Sequence, residues 1–113
     1  MTLLYTIDVA HPPRPSSAVE EQLDDAWDHC RRSRHLRVLK IIHGYGSSGG
    51  PGSIRATARN WAWDRRRHFR AVIEGEEYSL QNTRTQELRK AVGDYPDADL
   101  GGSNPGILII WIH

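Results

Sequence analysis

Leu39-Lys40-Ile41-Ile42-His43-Gly44-Tyr45-Gly46-Ser47-Ser48-Gly49-Gly50-Pro51-Gly52-Ser53-Ile54 is an apolar run that stops at a histidine, crosses a glycine-rich loop and restarts as a helix. The end of a buried strand is a rigid platform. Glycines remove the Cβ atoms that keep a ligand away from the main chain, and the first turn of the following helix presents N–H groups without intrahelical partners. A phosphate is the expected guest.

Upstream, residues 3–9 cluster apolar groups (Leu3, Leu4, Tyr5, Ile7, Val9) as a first strand, which Pro12 and Pro13 end. Pro15, Ser16 and Ser17 then open a helix, with Ser17 and Glu20 spaced as a capping box. Val19, Leu23, Ala26, Trp27 and Cys30 fall on one face of that helix, which is expected to run to about Ser33. Leu36, Val38, Leu39, Ile41 and Ile42 form the second strand. A strand, a helix of this length and another strand make a right-handed crossover with parallel strands. Asp8 and His11 are therefore brought to the same sheet edge as His43.

Downstream, Ser53 or Gly52 caps a second helix with Ile54, Thr57, Ala58, Trp61 and Ala62 inward and Arg55, Arg59, Arg65, Arg66 and Arg67 on its other faces. Phe69, Ala71, Val72 and Ile73 give a third strand, and Thr85 to Val92 a short helix. That helix lies in a long insertion at about residues 80–105, and Ile107 to Ile112 is a last strand, apolar on both faces and hence inside the sheet. The fold class is α/β: a two-layer sandwich in which a mixed four-stranded sheet carries two main helices on one face, in β-α-β-α-β-β order. One helix layer leaves the other face open, and dimerisation or the long excursion could cover it.

The 113 residues suffice for one domain, 1–113, with one core. A lone cysteine, Cys30, excludes an internal disulfide and a multi-cysteine zinc site, and its place on an apolar stripe marks it as a packing residue. No run is long enough to span a membrane or to act as a secretory signal, so the expected compartment is cytoplasmic, with no membrane partner. His29, His35, His68 and His113 lack ligand spacing, so no structural metal is expected. The net charge of +1 conceals an asymmetry: residues 31–70 hold eleven Arg and Lys against Asp64 alone. A basic segment that brackets a phosphate loop points to a polyanionic partner.

Three motifs carry a resemblance. Ile41-Ile42-His43-Gly44-Tyr45-Gly46 is similar to the I-I-H-G-x-G of the small MutS-related (Smr) domain family, and Gly52-Ser53-Ile54-Arg55 to its G-x-L-[KR] at the second helix. Gly101-Gly102-Ser103-Asn104-Pro105-Gly106 resembles its GG-x-G turn before the last strand. The resemblance implies a fold like the carboxyl-terminal domain of a bacterial translation initiation factor, binding to DNA or RNA, and endonucleolytic nicking in several members. The first strand departs from the family's L-D-x-H-G. Here Ile7-Asp8-Val9-Ala10-His11-Pro12 keeps Asp8, but Ala10 takes the histidine position and His11 stands one residue late. The departure weighs on cleavage more than on binding.

Phosphodiester cleavage needs a proton acceptor, a group that serves the leaving oxygen, and donors for charge on the phosphorus oxygens. His43 is the candidate base. Asp8 either orients it or holds a divalent cation (Mg or Mn), a possible cofactor if the domain is a nuclease, and His11 stands in for the missing partner. Main-chain N–H groups at Gly44, Gly46 and Gly52, with Ser53, Arg55 and Lys40, are expected to receive the anion. Arg59 and the run Arg65, Arg66, Arg67 neutralise further phosphates, and Tyr45 and Trp63 are placed to stack on bases. The rival reading is a catalytically inactive protein-interaction domain that keeps the fold, with a homodimer or a larger protein as partner.

Overall fold

In the computed structural model, which describes residues 2–45 and 53–113, β1 (Leu4–Asp8) and β2 (Val38–Ile42) run parallel, from Leu4 opposite Val38 to Asp8 opposite Ile42. α1 (Ser16–Arg32) is the crossover between them. α2 (Ile54–Asp64), β3 (Ala71–Glu74), α3 (Thr83–Val92) and β4 (Ile107–Trp111) follow, with single 3₁₀ turns at Arg66–His68 and Gly75–Glu77. The strand order is β1-β2-β4-β3, and β4 is antiparallel to both of its neighbours. This is the mixed four-stranded α/β sheet that the element order predicts. Every residue of β4 is buried, as a central strand apolar on both faces requires.

The two-residue period of the strands divides the core. Ile7, Leu39, Ile41, Leu108 and Ile110 face α1 and α2, where they meet Val19, Leu23, Ala26, Ala58 and Trp61. Burying such aliphatic groups is worth roughly 1.5–3 kcal/mol each, and this sets the helix positions. Trp27 meets Trp61 and Phe69 edge-on, with ring centroids 6.1 and 5.4 Å away. Cys30 is fully buried here, and loss of hydration pushes its thiol up to about 11, so it stays protonated and acts as a small apolar group.

The helix starts correct one expectation. α1 begins at Ser16 with Pro15 at the N-cap and no side-chain cap, so the Ser17–Glu20 capping box does not form. Proline supplies the backbone geometry for the entry, and Ser17 already lies within the first turn. The Ser16 hydroxyl instead accepts from Thr57 Oγ1 at 3.2 Å, joining α1 to α2. α2 is capped by Ser53, whose Oγ accepts from the Ala56 N–H at 3.1 Å.

The excursion covers the second face of the sheet. Val38, Ile73, Ile107, Ile109 and Trp111 pack there against Tyr78, Leu88 and Tyr95. Lys40 also points to this side. Its ammonium is buried, 2.7 Å from Asp97 and in contact with Asp99, while the Tyr78 hydroxyl bonds Asp97 at 3.0 Å and the Tyr95 hydroxyl at 2.9 Å. The excursion is thus fastened to β2 by a satisfied polar network as well as by apolar contact.

Candidate nucleic-acid interface

Because β1, β2 and β3 share one direction, their carboxyl ends, the start of α2 and the start of β4 lie at one edge of the sheet. Val9 N–H donates to Ile42 O at 3.0 Å, closing the β1 side. The His43 and Gly44 N–H groups both donate to Gly106 O, at 2.9 and 3.1 Å. The Gly44 amide is therefore committed to the fold, which corrects its expected role as an anion donor. Gly44 has φ +75°, the left-handed backbone that favours glycine, and a Cβ there would also crowd that of Ala10 at 3.3 Å. Gly46 and Gly52 lie outside the described residues.

His43 is 3% exposed, and its Nδ1 lies 2.7 Å from Gly44 O. A carbonyl only accepts, so in the neutral ring the proton sits on Nδ1 and the lone pair on Nε2. Burial pushes the His43 pKa below the ordinary value. The Gly44 hydrogen bond and Glu74 oppose this shift, and Arg55 and Arg59 reinforce it. At neutral pH the ring is uncharged, the form a general base requires.

Asp8 and His11 find each other instead of His43. His11 Nδ1 is 2.9 Å from Asp8 Oδ2, and Asp8 Oδ1 accepts from the Ala10 and His11 N–H groups at 2.8 and 3.0 Å. Burial raises the Asp8 pKa, but these bonds outweigh it and hold the carboxyl below its usual range. Strand alternation explains the separation. Asp8 is in phase with Leu4, which packs in the α3-side core, whereas His43 is in phase with Leu39 and Ile41, which pack under α1 and α2. Sharing an edge does not put two side chains on the same face. The expected grouping of Asp8, His11 and His43 thus divides into an Asp8–His11 turn and a His43 that faces α2. No three His, Cys, Asp or Glu side chains come together as cation ligands among the described residues, and Asp8 is engaged with its own turn and with His11.

Lys40 leaves the site as well, since it lies on the opposite face, neutralised by Asp97 and Asp99. Burial lowers its pKa, but the two carboxylates outweigh that and hold it charged, above its ordinary value. Arg65 turns toward α1, donating to Trp61 O at 3.2 Å and reaching Asp24 at 3.4 Å. Arg66 and Arg67 are exposed, but at the end of α2 remote from His43. Tyr45 is 66% exposed beside the loop.

What the fold does assemble is a stripe. Arg55, Arg59 and Trp63 recur every four residues on one face of α2 and span about 12 Å of helix. With Ala56, Asn60, Val72, Glu74 and Leu108 they line a groove of about 410 Å³ between α2 and the sheet. Arg59 pairs with Glu74 at 2.9 Å and Arg55 with Glu76 at 3.5 Å, both in partly exposed positions. The Arg55 Nε is buried and has no hydrogen-bond partner among the described residues. Trp63 is 63% exposed, with the Arg66 guanidinium 4.0 Å over its ring. Sequence reasoning named the arginines but missed Glu74, Glu76 and Asn60. The signal for the two acids was the direction of β3, which ends at the same edge as β2.

No protein-family model matches the sequence, and no curated protein matches it. Among solved structures it is similar to the crystal structure of the Smr domain of Thermus thermophilus MutS2, with a TM-score of 0.53 and 14% identity over 99% of each chain. The fold of this chain is that of an Smr domain.

Proposed function

We propose that this domain binds nucleic acid through phosphate contacts along the α2 stripe, from the His43 edge to Trp63. The observation that carries the reading is the alignment of Arg55, Arg59 and Trp63 on one wall of a groove open to solvent, with the Arg66 guanidinium over the Trp63 ring. Guanidinium groups receive phosphate oxygens in pairs, and the pairs they now make with Glu74 and Glu76 are worth no more than about 1 kcal/mol at such exposure, so phosphate can replace the carboxylates. The Smr-like fold agrees with this reading. The excursion that a protein-interaction role would use spends Leu88 and Tyr95 on the sheet and leaves Leu80 as its exposed large aliphatic side chain.

The test is a labelled oligonucleotide titrated across salt. Affinity is expected to fall linearly on a log–log plot, with a shallower slope in Arg55→Ala and Arg59→Ala. An affinity indifferent to salt would remove the electrostatic basis of the proposal.

A second reading, nicking, rests on the neutral His43 ring with its lone pair on Nε2. In it His43 takes the proton of the attacking oxygen as that oxygen bonds to phosphorus, the groove arginines stabilise charge on the phosphoryl oxygens, and the ester oxygen displaced from phosphorus takes its proton from water. Supercoiled plasmid and single-stranded RNA incubated with the wild type and with His43→Ala decide it. Cleavage that survives the substitution would take the role from His43.

A further inference from the structure

Building on the phosphate-binding reading, we infer that the α2 groove selects single-stranded nucleic acid over duplex, with Trp63 as the platform on which one unpaired base stacks. Trp63 borders two adjoining cavities, the groove of about 410 Å³ and a second of about 580 Å³ lined also by Arg70 and Arg84. Arg66 borders the second cavity only. Its Nη1 is tied to Trp63 O at 2.8 Å, which keeps the guanidinium over the indole on that side and leaves the ring open toward the first.

The first cavity therefore presents, in sequence along one helix face, two guanidinium groups, the amide of Asn60 and a bare aromatic face. One helical turn separates Arg55 from Arg59 and another separates Arg59 from Trp63, about 6 Å each, a step comparable to that between successive phosphates of an extended strand. Two phosphates on the arginines place the next base against the indole. A duplex satisfies the arginines equally well but keeps its bases stacked inside, with no face to offer Trp63. The cation held over the far face strengthens the platform by facing the negative π surface.

The experiment is fluorescence anisotropy of a labelled 12-nucleotide single strand and of the same sequence closed into a hairpin duplex, with wild type, Trp63→Leu and Trp63→Phe, at low and moderate salt. The wild type is expected to bind the single strand about tenfold more tightly than the duplex. Trp63→Leu should bring that ratio close to one, Trp63→Phe should keep most of it, and the tryptophan emission of the wild type should be quenched by the single strand. A ratio near one in the wild type, or one that Trp63→Leu leaves unchanged, overturns the inference while the phosphate reading stands. A polyglutamate peptide that competes as well as the single strand overturns it too. No salt-dependent binding of either nucleic acid overturns the phosphate reading itself, and the inference with it.

Discussion

Lys40 and Asp97, 57 residues apart in the chain, meet at 2.7 Å beneath the excursion, with 9% and 3% of their side chains exposed. A buried pair of this kind is satisfied as a unit, and removing one member leaves the other without compensation. Lys40→Met is accordingly expected to cost roughly 3–5 kcal/mol of stability, read as a lowered denaturant midpoint. The salt slope of oligonucleotide binding should not change, because the ammonium never faces the groove. A shallower slope with unchanged stability would return Lys40 to the binding surface.

Glu74 supports a prediction in the other direction. Its carboxylate holds Arg59 across the groove at 2.9 Å and occupies the place a phosphate oxygen would take. Glu74→Gln should tighten binding of a labelled oligonucleotide about threefold at low salt, with the gain fading as salt screens the groove. Stability should change by no more than about 0.5 kcal/mol, as for other partly exposed substitutions. Weaker binding would mean that Glu74 is needed to position Arg59.

His43 connects pH to stability. Its folded pKa lies below the unfolded value near 6.5, chiefly because burial disfavours the imidazolium. The unfolded chain therefore binds the proton first as pH falls. This residue's contribution is present in full above the unfolded pKa and is lost as pH drops from about 6.5 toward the folded pKa. Thermal melts of the wild type between pH 7.5 and pH 5 should show a steeper loss than those of His43→Gln, which has no proton to take up. Parallel curves would mean that the ring titrates normally.

The architecture was legible because each element announced itself twice, by period and by punctuation. Ile107 to Ile112, apolar at every step, had to be central, and the crossover from Leu4 to Ile42 had to be parallel. The site was less legible, for a reason that alternation makes plain. Topology assigns Asp8 and His43 to one edge, but a single residue of phase sends their side chains to opposite faces, and the turn at Val9 to His11 then bends Asp8 onto its own backbone. Lys40 misled for the same reason: near the loop in sequence, it lies one phase away from it in space. Its partners sit in a segment with no helical or strand period beyond α3, where sequence offers nothing to register Asp97 and Asp99 against β2.

Gly75 is the most tightly packed of the described glycines on this edge. It follows β3 directly, and a Cβ built there would lie 1.9 Å from Asn104 O and 2.6 Å from Ile107 Cγ1. The first of these atoms is backbone in the turn that delivers Gly106 O to the His43 and Gly44 N–H groups, so it cannot move aside as a flexible side chain would. Gly75→Ala must therefore push β3 and the 104–107 turn apart, a clash of the overpacking kind that costs about 3 kcal/mol or more. The His43 edge should loosen with it. Hydrogen exchange provides the check: the amides of His43 and Gly44 should lose protection in Gly75→Ala beyond what the global destabilisation explains, while those of α1 follow the global change. Uniform loss across all elements would show that the turn and the His43 edge are not mechanically joined.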